Sequence, residues 1–337
     1  MSSELKTIGI VGAGAVVEQL HLPALQTLPN VQVSWVLDID PGRAQRVARM
    51  FKVSKVLDDL SQAPPTFAVL AATPVGYRRR IIETLLERGS HVLSEKPFAA
   101  TLQDHDQLVS AAQRAHLQIG VGLMRRCYRP TIMARALVQS GVLGAVQEVY
   151  AGEGGKMRGT GRASNWYQTN REASGGGILI ETGSHLLDQV ISICGASDAE
   201  VDEFKHVSVE DLDFHVDLKV NARTPTGRVP MRFSLSRIRE IANGIWIRFE
   251  RGAVQLETSP DASVVLLDSD RHRIGTVNND VGATKPFQAF RDEWAAFLEQ
   301  CTTGRQGSMS AQSARLSTQI VDECYARRHD ASTVESP

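Results

Sequence analysis

The chain has 337 residues, of which 42% are hydrophobic, 22% charged and 6% aromatic, a composition typical of soluble globular proteins with ample material for a core. Its 37 basic and 38 acidic residues leave a net charge of -1, which argues against a nucleic-acid or anionic-membrane partner. The length exceeds one ordinary core and predicts two domains.

The first third alternates strand and helix patterns. Thr7–Val11 reads as a strand and Ala15–Leu28 as a helix, then Val31–Leu37 as a strand and Pro41–Phe51 as a helix. Strands at Phe67–Ala72, Val92–Ser94 and Gln118–Val121 alternate with helices at Gly76–Arg88 and Leu102–Ala115. This alternation predicts a parallel sheet with helices on both faces. The run Arg78-Arg79-Arg80 falls near the start of one of these helices and reads as a solvated face.

The pattern changes near residue 124. A helix at Thr131–Ser140 and a strand at Gln147–Glu153 precede a loop rich in Gly, Arg and Ser, which runs to Gly177. Beyond the apolar stretch after it, strand patterns recur at Phe214–Ala222, Val229–Ser236, Gly244–Glu250, Ala253–Glu257 and Val264–Asp268. Turn signals separate them, which predicts an antiparallel sheet in an α+β domain. Helices at Pro286–Gln300 and Ser310–Arg328 follow. The expected division is 1–123 for a dinucleotide-binding domain, 124–330 for an α+β domain and 331–337 for a frayed tail.

Cys127, Cys194, Cys301 and Cys324 form no C-x-x-C pair, so neither a zinc framework nor a redox dithiol is indicated. The N-terminal stretch reads as a first strand rather than a signal peptide. No apolar run approaches the roughly 20 residues needed to span a bilayer, and a cytoplasmic protein is expected.

Gly12-Ala13-Gly14-Ala15-Val16-Val17 follows the first strand and opens a helix. Gly12 permits the tight turn, and Gly14 lets backbone approach a pyrophosphate at the helix N-terminus. Val17 stands where the fingerprint usually has a smaller residue. Asp38, at the end of the second strand, is placed to accept hydrogen bonds from ribose hydroxyls and to repel a 2′-phosphate, which favours NAD. Arg43 nearby keeps NADP open. Thr73-Pro74 ends a further strand of the series, at the edge where ligands bind in such sheets, or simply makes a strand-to-helix turn.

Ser174-Gly175-Gly176-Gly177 leads into an apolar stretch holding Glu181 and His185 at helical spacing. The glycines are expected to let backbone pass close to substrate or nicotinamide. An acid and an imidazole four residues apart can be catalytic, metal-binding or merely buried; without a third ligand in view, no metal is expected. Asp188, three residues beyond His185, is a candidate to orient its ring or a surface residue.

SEKPFA at Ser94–Ala99 resembles the glucose–fructose oxidoreductase/inositol dehydrogenase (Gfo/Idh/MocA) family. So do HLPAL at His21–Leu25, GSHVLSEKP at Gly89–Pro97, GVLGAV at Gly141–Val146 and GGGILIETGSHLLD at Gly175–Asp188. The resemblance implies a Rossmann domain joined to an α/β domain whose open sheet makes a homodimer or homotetramer. It implies hydride transfer between a nicotinamide and a carbon of a small polyhydroxy substrate: sugar, cyclitol or nucleotide sugar. Carried over by position, Lys96 is the active-site lysine, His185 the acid/base, and Glu95 and Lys96 border the cofactor. Glu181 stands where the family usually has Asp, and Tyr77 where relatives often have His.

The chemistry suits those residues. A proton leaving a hydroxyl needs a base near neutrality, which histidine supplies. A lysine stabilises negative charge developing on the reacting oxygen. Glu181 can bind substrate, tune His185 or cap the helix. Arg126 and the loop residues Lys156, Arg158, Arg162, Trp166 and Tyr167 form a set that can grip an anionic or nucleotide-linked sugar, or a solvated loop. Two other readings remain: transient oxidation serving a lyase or glycosidase, and a nicotinamide-binding protein without catalysis.

Overall fold

The computed structural model describes residues 4–155, 170–277 and 280–330. The chain forms two units: 1–99, 103–127 and 283–314 make the first, and 100–102, 128–282 and 315–337 the second. A single cut near residue 124 was expected; instead the chain returns to its first unit late in the sequence.

The first unit holds a six-stranded parallel sheet of β1 (Lys6–Val11), β2 (Val31–Leu37), β3 (Lys55–Leu57), β4 (Ala68–Ala71), β5 (His91–Ser94) and β6 (Ile119–Val121). Its order is β3-β2-β1-β4-β5-β6. The direction of winding reverses between β1 and β4, which places a ligand crevice at their carboxyl ends. Alternate residues serve opposite faces, as strand geometry requires. Ile8, Ile10 and Leu70 enter one core; Val11, Val69 and Ala71 enter the other with Trp35. Gly9 makes room for Trp35, since a Cβ there would lie 2.1 Å from the indole.

The helix expected at Ala15–Leu28 is a wide π turn at Val17–His21 running into the short α1 (Leu22–Leu25). α2 (Pro41–Phe51), α3 (Val75–Glu87) and α4 (Leu102–Arg114) follow the expected pattern. Strand β3 escapes sequence reading because three residues carry too little pattern.

The second unit opens with α5 (Arg129–Ser140) and β7 (Val146–Gly154), followed by the single-turn α6 (Arg171–Ser174) and α7 (Ser184–Cys194). Then come β8 (Asp198–Val209), β9 (Leu212–Thr224), β10 (Gly227–Ser236), β11 (Gly244–Phe249), β12 (Gly252–Leu256), β13 (Val264–Leu267) and β14 (Arg273–Val277). They form one sheet in the order β14-β13-β12-β11-β7-β10-β9-β8, antiparallel except where β10 runs parallel to β7. The edge strands β8 and β14 were not anticipated. β8 buries only Ala199 and Val201 among its charged residues, and β14 buries none, so pairing rather than hydrophobic pattern defines them.

α8 (Pro286–Thr303) puts Phe290, Trp294 and Phe297 into the first unit's core beside Ile8 and Ile10. This apolar stripe is the reason for the discontinuous division. α9 (Arg315–Asp330) belongs to the second unit, where Ile320, Val321 and Cys324 meet Leu186 and Val190 of α7. The four cysteines are buried, and burial pushes the thiols of Cys194 and Cys324 up to about 12. Among the described residues, no helix is long and apolar enough to cross a membrane.

Candidate active site

In the first unit the loop after β1 turns at Gly12, whose φ is +95°. A Cβ there would lie 2.6 Å from the Ala72 carbonyl, so both conformation and space demand glycine. Around Gly14 a Cβ would meet nothing within 4 Å, leaving room for a ligand to reach backbone. Ala15 and Val16 already belong to the helical stretch that follows, and Val17 is fully buried, so the larger third residue packs without displacing the loop.

Asp38 braces this loop. Its Oδ2 accepts from Ala13 N at 2.6 Å and its Oδ1 from Asp40 N at 2.8 Å. Arg43 lies 3.9 Å from both Asp38 and Asp40, and its side chain remains 42% exposed. The cation therefore sits beside two anions. Thr73, just past β4, has a buried hydroxyl with no partner among the described residues, and Pro74 caps α3. An open glycine, a carboxylate at the β2 terminus and an orphaned hydroxyl at the β4 terminus fit a dinucleotide.

The Glu95-Lys96-Pro97 segment leaves β5 on the same edge. Glu95 is buried; its Oε1 lies 2.9 Å from His21 Nε2 and its Oε2 accepts from Lys96 N at 2.9 Å. Burial pushes the Glu95 carboxyl up, but the hydrogen bond from His21, with Lys96 and Arg78 nearby, brings it below its ordinary value. Lys96 itself is half-buried.

Arg78 corrects an expectation. It is 3% exposed rather than solvated, and its guanidinium donates to the carbonyls of Thr73, Glu95 and Pro97. One cation thus gathers both segments that border the crevice. Arg79, with Glu83 and Asp104 as partners, and the exposed Arg80 keep the surface role. Arg126 is buried, and its guanidinium donates to Ser313 Oγ at 2.6 Å, Ser313 O at 2.9 Å and the Ser308 carbonyl. These bonds give it a bracing part in the first unit.

In the second unit, Asn170 caps α6 and Gly175 ends it with a left-handed φ of +75°. The next two glycines have a cause the sequence did not disclose. A Cβ on Gly176 would lie 2.3 Å from the Tyr325 hydroxyl, and one on Gly177 2.2 Å from the Asp213 carbonyl. The backbone passes close to this unit's own β9 and α9, where an approach to substrate or nicotinamide was expected.

Asp213 explains that approach. Fully buried, it accepts from Gly177 N at 3.1 Å, Leu179 N at 2.6 Å and the Tyr325 hydroxyl at 2.9 Å, and pairs with Arg328. The Tyr325 oxygen in turn accepts from Ile180 N at 3.3 Å. Burial and the Asp213 charge push the Tyr325 phenol well above its ordinary value, so it stays a donor. Together they latch the start of the helical stretch carrying Glu181 and His185.

Glu181 lies in a π turn, Leu179–Gly183, that continues into α7. Such wide turns recur at functional sites. Glu181 is partly exposed and ion-paired with Arg237, just beyond β10. His185 is 7% and Asp188 2% exposed, so Asp188 is no surface residue. Lys96 belongs to the first unit, Glu181 and His185 to the second. Lys156, Arg158, Arg162, Trp166 and Tyr167 lie outside the described residues. Asp268, Asp270 and His272 bring ligand atoms within 4.8 Å of one another at a surface turn remote in sequence from all of these.

Sequence reasoning missed Arg78, Arg237, Asp213, Tyr325 and Trp294 as site-shaping residues. None lies in a motif; only folding brings them to one.

Two family models match. One, described as an oxidoreductase family with an NAD-binding Rossmann fold, covers residues 6–123; the other, the GFO/IDH/MocA C-terminal domain, covers 131–291. The chain is 28% identical over 200 residues to D-glucoside 3-dehydrogenase of Escherichia coli, 58% of this chain and 56% of that one. It is 29% identical over 205 residues to dTDP-3,4-didehydro-2,6-dideoxy-alpha-D-glucose 3-reductase of Saccharopolyspora spinosa, covering 58% and 60%. The chain therefore spans a little over half the length of these curated relatives. The fold is similar to the aldose-aldose oxidoreductase of Caulobacter crescentus complexed with glycerol. The TM-score is 0.84 at 17% identity, over 97% of this chain and 98% of that one.

Proposed function

The chain belongs to the GFO/IDH/MocA oxidoreductase family, and on that premise we propose that it transfers a hydride between NAD and a carbon of a small polyhydroxy, sugar-like substrate. The observation that carries this reading is the crevice of the first unit. There Gly12, Gly14, Asp38, Thr73 and the Glu95-Lys96-Pro97 segment share the carboxyl edge of the parallel sheet.

NAD is favoured over NADP because Asp38 closes the end of β2 with negative charge. Arg43, the neighbouring cation, already faces Asp38 and Asp40. When bound, the nicotinamide supplies the hydride acceptor or donor.

The chain's own residues manage the oxygen and its proton. Lys96 hydrogen-bonds the reacting oxygen and stabilises its negative charge. His185 takes the hydroxyl proton during oxidation and returns it during reduction. Glu181, held by Arg237, binds substrate hydroxyls beside His185. The open face of the eight-stranded sheet, where Tyr150, Trp246 and Leu267 are only partly covered, makes the contact of a homodimer or homotetramer; light scattering tests this.

A thermal-shift screen crosses NAD, NADH, NADP and NADPH with sugars, cyclitols and nucleotide sugars, since a ligand of the folded state raises its stability. Nicotinamide-dependent turnover on a hit should fall about 10²-fold or more in Lys96→Ala and His185→Ala. Near wild-type turnover in either variant would overturn these roles. Release of an aglycone without net NADH would replace the reading with transient oxidation in the service of elimination.

A further inference from the structure

We propose that Trp294, His21 and Glu95 form a hydrogen-bonded chain that positions Lys96. The proposal rests on the role given to Lys96 above and adds three positioning residues to it. Trp294 Nε1 lies 3.0 Å from His21 Nδ1. An indole N–H can only donate, so His21 Nδ1 must be the acceptor and carries no proton. The imidazole proton is then on Nε2, 2.9 Å from Glu95 Oε1, and points at it. The remaining oxygen, Oε2, accepts from the Lys96 backbone N–H at 2.9 Å. Every donor and acceptor in this series has one permitted direction.

The chain is dry. Trp294 and His21 are 0% exposed and Glu95 is 8% exposed. The Phe290 ring packs edge-on to His21 at 4.7 Å, so the imidazole cannot turn without displacing the α8 core. Arg78 holds the carbonyls of Glu95 and Pro97, on either side of Lys96. The charged or titratable groups acting on Glu95 are thus His21 from the π turn, Arg78 from α3, Lys96 beside it and Glu293 from α8. Neither oxygen of Glu293 has a hydrogen-bond partner among the described residues, so it is not a link in the series. His21, in the HLPAL stretch, and Trp294, 273 residues further on, therefore act on the lysine through a single carboxylate.

The fixed tautomer supplies the test. Glu95→Gln places an amide NH2 where both neighbours, His21 Nε2–H and Lys96 N–H, are donors, so one contact becomes donor against donor. Trp294→Phe removes the demand on Nδ1. The imidazole proton then moves there, and Nε2 accepts from Gln at position 95. The two substitutions should therefore compensate. We expect Glu95→Gln to lower kcat about tenfold to hundredfold. The double variant should recover most of that loss, a coupling that a double-mutant cycle isolates. Nitrogen-15 NMR of histidine-labelled protein should show His21 as the Nε2–H tautomer in the wild type and as Nδ1–H in the double variant. That readout needs no turnover, so it stands whether or not the role of Lys96 survives Lys96→Ala. Additive losses in the cycle, or a wild-type His21 protonated on Nδ1, would overturn the proposal.

Discussion

Gly177→Ala tests the latch at the head of the Glu181 and His185 helix. The added Cβ would sit 2.2 Å from the Asp213 carbonyl oxygen and 2.3 Å from its nitrogen, where ordinary contact is 3.4–4 Å. Both neighbours are backbone within β9, so no side chain can swing aside; the two segments must part by about 1 Å. That movement stretches the bonds from Gly177 N and Leu179 N to the Asp213 carboxylate. Hydrogen bonds to a charged group contribute about 1.5–3 kcal/mol each, and overpacking adds about 1–3 kcal/mol. Partial relaxation leaves an expected loss of about 3–5 kcal/mol, a large fraction of the roughly 5–15 kcal/mol that holds a typical protein. Urea unfolding followed by circular dichroism reads the loss directly. Turnover should fall with it, whereas dinucleotide binding by the first unit should survive wherever the variant remains folded. A loss under about 1 kcal/mol would refute the steric argument.

Three further outcomes are expected. Burial, and then the Glu95 charge, push the Glu293 carboxyl well above its ordinary value. The folded state keeps a proton that the unfolded chain releases, so stability falls as pH rises from the ordinary carboxyl range to the folded value, at about 1.4 kcal/mol per pH unit. Glu293→Gln removes this slope; urea midpoints from pH 4 to 8 should show its advantage growing with pH, and a constant difference would count against the assignment. Tyr325→Phe deletes the hydroxyl that donates to Asp213 and accepts from Ile180 N. It should destabilise the protein by about 1–3 kcal/mol in denaturant, and a neutral result would remove Tyr325 from the latch. Arg78→Lys cannot reach three carbonyls with one ammonium, so it should lower the melting temperature and weaken dinucleotide binding; isothermal titration with unchanged affinity would refute its clamping role.

The amino-acid sequence by itself determined the parallel sheet, the glycine turn after its first strand and the family. Those signals are local: an apolar run buried on both faces, a glycine pair at a strand end, and a short motif such as Glu95-Lys96-Pro97. It also located Glu181 and His185 in one helical stretch. It misjudged Arg78 because a run of three arginines looks like solvated surface, and only the convergence of the β4 and β5 termini creates three carbonyls for one guanidinium to meet. The glycines before Glu181 were legible as a close approach, but what they approach was not. Tertiary structure decided that it is Asp213 and Tyr325, which lie 36 and 149 residues beyond Gly177 and Gly176. It likewise decided that Trp294 fixes the tautomer of His21, because α8 returns to the first unit. Periodicity shows which face of an element seeks burial; only the packed chain determines which donor meets which acceptor inside it.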